Sequence, residues 1–542
     1  MFISVVFNEE YLDVSSRSKF YLKNLLHCYE NQWIIITHEY MHKHFEELQN
    51  EINERFFREF EMRPFSPEEV SQVEQYFVPD DFFDGVEKSC GSRTEMQTML
   101  TTQRCEQMET YLQCIIDQIR KKHPDEKIEG VFNCLESWES VRYICEANDL
   151  PLISYVFSSI RKPHGYRQTL YSANFERLYC SDECEKRYKS FIEECTDVPM
   201  LTNEEILAFI GKTRNLPLLK HLNAEPTKEI NVCGEGFTML PHIYERTHYN
   251  DEDIYYECNK LFKQSEMGNR QHPIHLNSLQ IDRSEVHNDP AAWILGAKRL
   301  VAVCSQIVLK AMLWNRTPIM VKNTLPFSFM CGKEYSSEVK TPVQFLNYYI
   351  FGYLIPTDLM FSAEYWKWRL TNPSETDIYT CHLKYICNIL HVNYEDLTNG
   401  KENNHLSILL SARNCDKQLT NYLLSEDVPI SIDYNVATCR FVVDGNTYWR
   451  LNEKKQDGYC STLMLDSVSN SIVEFFPLDD VAGFVELDNI MVNGVAIEMD
   501  SQGYRFIPKV FGHIAIPMMT KGPVEIECNW KYKKIFDALN CL

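Results

Sequence analysis

Short apolar runs rich in β-branched residues alternate with longer amphipathic segments over the first two thirds of the chain, and this alternation permits few folds. In the first block, the runs MFISVVF, WIIIT, KIEGVFNC and PLISYVF have the composition of buried strands. Apolar residues between them recur at intervals of three and four, as on one face of a helix: Leu22, Leu25, Leu26 and Tyr29, then Met108, Leu112, Ile115 and Ile119. The order strand, helix, strand predicts a parallel sheet covered by helices.

The same pattern starts again at about Glu229. EINVCGEGF, RQHPIHLNS, RLVAVCSQ and TPIMVKN are typical of strands, and DEDIYYECNKLFKQS and IVLKAMLWN are typical of helices. This block predicts a second doubly wound sheet. From about Ser407 the pattern changes to short alternating strands, with Asp444-Gly445 and Asn493-Gly494 as hairpin turns, which predicts a small antiparallel β-sandwich.

We therefore predict an α/β protein with three domains. Residues 1–215 form a Rossmann-like lobe, residues 216–400 form a second Rossmann-like lobe with a helical brace, and residues 401–542 form the β-sandwich. The brace is the aromatic segment from Gln344 to Leu370, which we expect to pack in the core rather than stack on a ligand.

Composition excludes several classes of protein. The chain is 44% apolar and 13% aromatic, which is enough to build large cores, so disorder is not expected. Its 54 basic and 77 acidic residues leave a net charge of −23, which argues against nucleic acid as the main partner. Neither a secretory signal nor an apolar run long enough to cross a bilayer is visible. We expect a cytoplasmic protein, with peripheral contact at the inner membrane as an alternative.

The 20 cysteines are spread through the expected core segments without paired spacing. The densest group, Cys180, Cys184 and Cys195, lacks the spacing of a zinc knuckle. We interpret all of them as reduced core thiols.

One metal motif occurs. His38-Glu39-Tyr40-Met41-His42 satisfies HExxH, which on a helix places two imidazoles on one face for zinc, with the glutamate as general base. It follows the strand WIIIT directly, so the alternative is a solvated start of a helix. The chain has no GxGxxG, P-loop or GxSxG motif to support dinucleotide, P-loop or α/β-hydrolase chemistry.

Ligands of open parallel sheets bind beyond the carboxyl ends of the strands. At such an end of the second lobe, Ser305 and Gln306 precede a helix and are predicted to contact a nucleotide phosphate; an N-cap and a helix-surface residue are the alternative. His272, followed by Pro273, is expected in the same cleft, where its imidazole can donate to a phosphate or a leaving oxygen, with a structural histidine as the alternative.

The order of several segments resembles a known family. FNCLESWES (Phe132 to Ser140), YVFSSIRKPHGYRQTLY (Tyr155 to Tyr171), RQHPIHLN, RLVAVCSQIVLKAMLWNRTPIMV and the FGYLIPTDL region look like segments of bacterial retaining β-Kdo glycosyltransferases of capsule and O-antigen assembly. The match spans roughly residues 125 to 370. It implies a modified GT-B fold and transfer of 3-deoxy-D-manno-octulosonic acid (Kdo) from CMP-Kdo to a glycan or glycolipid.

The resemblance also implies a carboxylate nucleophile. Glu235, between two glycines in Cys233-Gly234-Glu235-Gly236, is the best-placed carboxylate, although the family carries an aspartate; a solvated turn residue is the alternative. Asp251 and Asp253 are the reserves, and their position at the start of a helix is also ordinary charge placement.

On the acceptor side, Glu136 is the candidate acid or base, with Glu139 as a second choice. The residues predicted to bind substrate are Asn133, Arg161, His164 and Arg167. Ser158 and Ser159 depart from the family, whose members often carry an acidic residue just before the arginine.

The predicted function is thus transfer of Kdo to a bacterial surface glycan, with retention. Because a CMP-sugar has a single phosphate, no metal or other cofactor is expected. The expected partners are the nucleotide-sugar donor and the glycan or glycolipid acceptor, with the inner membrane or other glycan-assembly enzymes as further candidates. The alternatives are another nucleotide-sugar transferase of inverting type, a zinc hydrolase built on His38 and His42, and a non-catalytic glycan-binding or scaffold protein.

Overall fold

The computed structural model describes residues 1–7, 14–50, 52, 57, 61–160, 169–175, 177–195, 198–234, 241–271, 290–399, 405–424, 438–469, 472–478, 483–497, 503–507, 512–518 and 522–533. The chain divides into two compact units. The first contains Met1–Met200 and Glu225–Ile386, and the second contains Leu201–Ala224 and Cys387–Leu542. Both parallel sheets belong to the first unit.

The strands are numbered in chain order. Those of the first unit are β1 (Phe2–Val6), β2 (Ile34–His38), β3 (Gln75–Val78), β4 (Gly130–Cys134), β5 (Leu152–Phe157), β6 (Leu170–Asn174), β7 (Lys228–Gly234), β8 (Met267–Gln271), β9 (Ala297–Ala302), β10 (Thr317–Ile319) and β11 (Ile355–Pro356). Those of the second unit are β12 (Thr438–Val443), β13 (Asn446–Leu451), β14 (Glu453–Lys455), β15 (Gly458–Val468), β16 (Ile472–Phe476), β17 (Gly483–Val492), β18 (Val495–Ala496), β19 (Arg505–Ile507), β20 (Ile514–Pro517) and β21 (Gly522–Lys533).

The α-helices are numbered in the same way. The first nine are α1 (Val14–Asn31), α2 (Glu39–Lys43), α3 (Phe45–Asn50), α4 (Pro67–Gln72), α5 (Asp80–Cys90), α6 (Arg93–Thr102), α7 (Glu106–Lys122), α8 (Glu139–Ala147) and α9 (Asp182–Glu194). The remainder are α10 (Asn203–Ile210), α11 (Pro241–Thr247), α12 (Asp251–Leu261), α13 (Pro290–Leu295), α14 (Ile307–Leu313), α15 (Val343–Asn347), α16 (Thr357–Met360), α17 (Ala363–Arg369), α18 (Glu375–Ile389), α19 (Tyr394–Asn399), α20 (His405–Ala412) and α21 (Lys417–Leu424). Short 3-10 helices cover Thr213–His221, Gln264–Glu266 and Ser328–Met330, and Tyr348–Tyr353 is a π-helix.

The first sheet has seven strands in the order β11-β6-β5-β4-β1-β2-β3. The five strands from β5 to β3 are parallel, and β6 and β11 extend the sheet antiparallel at one edge. Ile3 is paired in register with Ile34 on one side and Val131 on the other. The central strand β1 is buried along its whole length, which explains its almost unbroken apolar sequence.

Two cores cover the two faces of this sheet. Successive residues of β1 point to opposite faces, so Phe2 belongs to one core and Ile3 to the other. Leu22 and Leu25 of α1 pack in the Phe2 core. The predicted apolar stripe of α7 is confirmed, because all four of its residues pack in the Ile3 core: Met108, Leu112, Ile115 and Ile119.

The second sheet has four strands in the order β10-β9-β7-β8, all parallel. In the chain, α12 lies between β7 and β8, and α14 lies between β9 and β10. The coarse prediction of two parallel α/β sheets followed by antiparallel sheets is therefore confirmed.

The aromatic segment is a packing element. It folds as α15, the π-helix, β11, α16 and α17. Tyr348, Tyr353 and Trp366 are fully buried, and Trp366 packs edge-on against Phe132 of the first sheet at a ring-centroid distance of 5.4 Å.

The second unit contains two antiparallel sheets, in the orders β13-β12-β16-β20 and β14-β15-β21-β17-β18, with β19 beside β17. Side chains from both sheets share one core, for example Phe475 and Trp530. Both predicted hairpin turns are present. Asp444-Gly445 and Asn493-Gly494 each have positive φ at both positions, as a type I′ turn requires.

Within the described residues, no helix is both long and apolar enough to cross a membrane.

A buried histidine makes the stability of the first unit depend on pH. His382 of α18 is fully buried, and its Nε2 lies 2.7 Å from the Tyr365 hydroxyl. Burial, then the nearby Arg369 and Arg187, hold the pKa of His382 well below its usual value. Below about pH 6.5 the unfolded chain binds a proton at this position and the folded chain does not, so stability falls as the pH falls.

We expect this histidine to lower the free energy of unfolding by up to about 1.4 kcal/mol for each pH unit below about 6.5. Urea denaturation at several pH values, compared between the wild type and His382→Gln, measures this contribution. Equal pH slopes in the two proteins would contradict it.

Candidate functional site

The carboxyl ends of the two parallel sheets adjoin each other. Gln306, just beyond β9 of the second sheet, donates a hydrogen bond from Nε2 to the backbone oxygen of Phe157, the last residue of β5 in the first sheet, at 3.3 Å. Because a ligand of a parallel sheet binds beyond the carboxyl ends of the strands, this shared edge is the candidate site.

A second contact joins the same parts of the unit. Arg246 of α11, which follows β7 in the chain, donates to the backbone oxygen of Tyr179. Glu136, two residues after β4, accepts hydrogen bonds at Oε2 from the backbone N–H groups of Leu178 (2.8 Å) and Tyr179 (3.3 Å). Leu178 and Tyr179 are thus bound by Glu136 through their N–H groups and by Arg246 through the backbone oxygen of Tyr179.

Glu136 is a buried carboxyl group among arginines. Only 3% of its surface is exposed, and its Oε1 lies 3.6 Å from Nη1 of Arg177. Burial raises the pKa of Glu136, and the positive charges of Arg246, Arg177 and Arg142 oppose that rise. A raised pKa suits proton transfer, while the two backbone hydrogen bonds also give this carboxyl group a structural role.

The turn that positions Glu136 is unusual. Leu135 has φ = 67°, a left-handed conformation that an ordinary side chain seldom adopts. Asn133 stabilises this turn, because its Nδ2 donates to the backbone oxygens of Cys134 (3.2 Å) and Leu135 (3.1 Å). Asn133, predicted to bind substrate, is buried and shapes the strand end that carries Glu136.

The predicted phosphate residues Ser305 and Gln306 both lie at this edge. The Ser305 hydroxyl accepts the backbone N–H of Ile307 at 3.4 Å, which is a local helix-start interaction. Both residues are partly exposed, and the backbone contact of Gln306 to Phe157 is one that the sequence analysis did not anticipate.

The two reserve carboxylates differ in their surroundings. Asp253 accepts the backbone N–H of Asn250 at 2.8 Å, and Asn250 in turn caps α12, so Asp253 has the expected helix-start role. Asp251 is buried beside the end of β7, where a Cβ atom on Gly234 would lie only 3.3 Å from its Oδ2. Absence of a side chain at Gly234 therefore leaves room for this carboxylate at the edge of the second sheet.

The remaining predicted site residues lie outside the described residues. They are Glu235, His272, Pro273, Arg161, His164 and Arg167.

The HExxH segment does not have the geometry of a zinc helix. His38 is the last residue of β2 and precedes α2 with an extended backbone (φ −66°, ψ 141°). It is buried, with Nε2 3.2 Å from the backbone oxygen of Phe7, whereas His42 stacks on Phe77. Since the first histidine is not on the helix, the two imidazoles have separate surroundings. Among the described residues, no group of three or more His, Cys, Asp or Glu side chains could hold a metal ion.

Sequence reasoning missed two cations near this edge. Lys23 of α1 is only 4% exposed, with Nζ 4.9 Å from the ring centroids of both Phe157 and Tyr171. Arg246 was not singled out either. In the sequence, Lys23 lies in the helical segment YLKNLL, and no local pattern distinguishes it from a lysine that faces solvent.

Comparison with protein-family models gives no match for this chain. Comparison with curated protein sequences gives none either.

Proposed function

We propose that the chain is a GT-B-type glycosyltransferase that transfers Kdo from CMP-Kdo to a bacterial surface glycan or glycolipid, with retention at the anomeric carbon. The two lobes of such an enzyme would be the two parallel sheets of the first unit. The observation that carries the proposal is the hydrogen bond from Gln306 to Phe157, because it brings the carboxyl ends of the two sheets to one edge.

The edge of the second sheet is the proposed donor side. Ser305 and Gln306 have partly exposed side chains there, and His272 and Pro273 are proposed to contact the CMP phosphate from the segment after β8. The serine hydroxyl, the glutamine amide and the histidine imidazole can each donate a hydrogen bond to a phosphate oxygen.

The edge of the first sheet is the proposed acceptor side. Arg161, His164 and Arg167 supply positive charge for a sugar carboxylate or an acceptor phosphate, and Arg is suited to bidentate contact with either group. Glu136 is the proposed proton acceptor for the attacking hydroxyl, since burial raises its pKa.

The proposed reaction has two displacements. The Glu235 carboxylate attacks the anomeric carbon of Kdo, and CMP leaves with the electrons of the broken bond. The acceptor hydroxyl then attacks the same carbon, loses its proton to Glu136 and releases Glu235. Each displacement inverts the carbon, so the product keeps the configuration of the donor.

Incubation with CMP-Kdo and a bacterial surface glycan or glycolipid acceptor, followed by NMR of the product, tests the proposal. The expected result is CMP release with a β-Kdo linkage. An α-linked product would contradict retention, and absence of both transfer and donor hydrolysis would contradict the enzyme assignment.

A further inference from the structure

A polar cavity lies at the edge of the second sheet opposite the candidate site. It has a volume of about 340 Å³ and is lined at the amino ends of β9 and β10 by Lys298, Arg299 and Arg316, and by Lys340 and Thr341 from the segment before α15. Ser305 and Gln306 lie beyond the other end of the six-residue strand β9, roughly 20 Å away. The cavity is therefore separate from the candidate site described above.

Positive charge is in excess around this cavity, although the whole chain carries −23. Among the described residues of its lining, Glu338 is the one carboxylate against four cationic side chains. Glu338 pairs with Arg299 at 3.2 Å. Glu229, outside the lining, pairs with Lys298 at 2.6 Å and with Arg299 at 3.0 Å. Glu225 acts electrostatically on Arg316. Four cations thus face three carboxylates, and the excess remains positive.

Two of the lining residues have hydrogen-bond donors for which the described residues provide no acceptor. Lys340 is exposed and forms no ion pair with any described residue. Thr341 is 92% buried, since 8% of its surface is exposed, and its hydroxyl has no hydrogen-bond partner among the described residues. A buried hydroxyl without a partner costs about 1–3 kcal/mol. The oxygen itself is closed off from the cavity, so an oxygen-rich ligand would satisfy it only after rotation of the Thr341 side chain about its Cα–Cβ bond.

We propose that this cavity is a binding site for a phosphate monoester group. A phosphate dianion has several oxygens that accept hydrogen bonds, and it matches an ammonium group, a guanidinium fork and a hydroxyl better than a single carboxylate does. The volume leaves room for a small organic group attached to the phosphate. The inference does not depend on the proposed glycosyltransferase activity.

Calorimetric titration of the full chain with inorganic phosphate at low ionic strength tests this site. We expect one saturable site, weakened by ~5-fold or more in Lys340→Gln and in Thr341→Val, because each removes one donor to the phosphate. The matched control is Lys121→Gln, which changes an exposed lysine on α7, a helix that packs against the first sheet. This variant is expected to leave the affinity for phosphate unchanged.

Vesicles with and without phosphatidic acid distinguish a lipid headgroup from a soluble phosphate. Binding to phosphatidic acid that Lys340→Gln weakens and free phosphate displaces assigns the site to a headgroup. Phosphate binding without vesicle binding assigns it to a soluble ligand. Absence of saturable binding up to ~10 mM phosphate and on vesicles, or affinities unchanged in both Lys340→Gln and Thr341→Val, would overturn the proposal.

Discussion

Glu136→Ala is expected to lower the free energy of unfolding of the first unit by about 3 kcal/mol. The substitution removes the acceptor of the N–H groups of Leu178 and Tyr179 and the carboxylate that faces Arg177. Buried donors without an acceptor are costly, whereas Arg177 is 40% exposed and keeps its ion pair with Glu139, so the two backbone N–H groups account for most of the expected loss. Chemical denaturation followed by tryptophan fluorescence measures the effect.

Glu139→Ala is the matched control. Glu139 also pairs with Arg177, but it is more exposed than Glu136. Its loss is expected to cost less than about 1 kcal/mol. Equal losses for the two variants would contradict the structural role of Glu136. Glu136→Gln keeps an acceptor oxygen and therefore separates the structural role of Glu136 from its proposed role in catalysis. If Glu136 is the proton acceptor, this variant is expected to fold and to have strongly reduced turnover.

Glu235→Gln is expected to reduce transfer from CMP-Kdo by ~10³-fold or more, because an amide oxygen is too weak a nucleophile to form the glycosyl-enzyme intermediate. Mass spectrometry of the wild type mixed with donor alone is expected to show a Kdo adduct on the peptide that contains Glu235. The variant is expected to show no adduct.

Transfer from CMP-Kdo is measured in the same way for Asp251→Asn and Asp253→Asn. Asp253 belongs to the start of α12, so its variant is expected to retain transfer. Asp251 lies beside Gly234 at the end of β7, the strand that leads to Glu235. Retention of activity in Glu235→Gln with its loss in Asp251→Asn would assign the nucleophile to Asp251 instead.

Much of the fold follows from local sequence patterns. The strands β1, β2, β4, β5, β7, β9 and β10 coincide with runs that the sequence marks as strands, and most of their residues are buried. Strand β3, with sequence QYFV, is a partly exposed edge strand, and it lacks the apolar run that marks the others. Strand β11 has two residues, and pairing with β6 rather than its own sequence determines it.

The site was less predictable than the fold. Position after a strand was enough to select Glu136, Ser305 and Gln306, because strand ends are visible in the sequence. The partners of Glu136 lie about 40 residues away in the chain, and no local pattern indicates that Leu178 and Tyr179 donate to it. The HExxH spacing does not place both histidines on a helix, because the strand β2 continues through His38, as the preceding run WIIIT indicates, and the helix begins one residue later.

Calorimetry with CMP, UDP and GDP tests the central claim most directly. The account predicts that CMP binds at one site, that UDP and GDP bind at least ~10-fold more weakly, and that Gln306→Ala weakens the binding of CMP. Absence of any preference for CMP, or CMP binding that Gln306→Ala leaves unchanged, would contradict a CMP-sugar site at the shared edge of the two sheets.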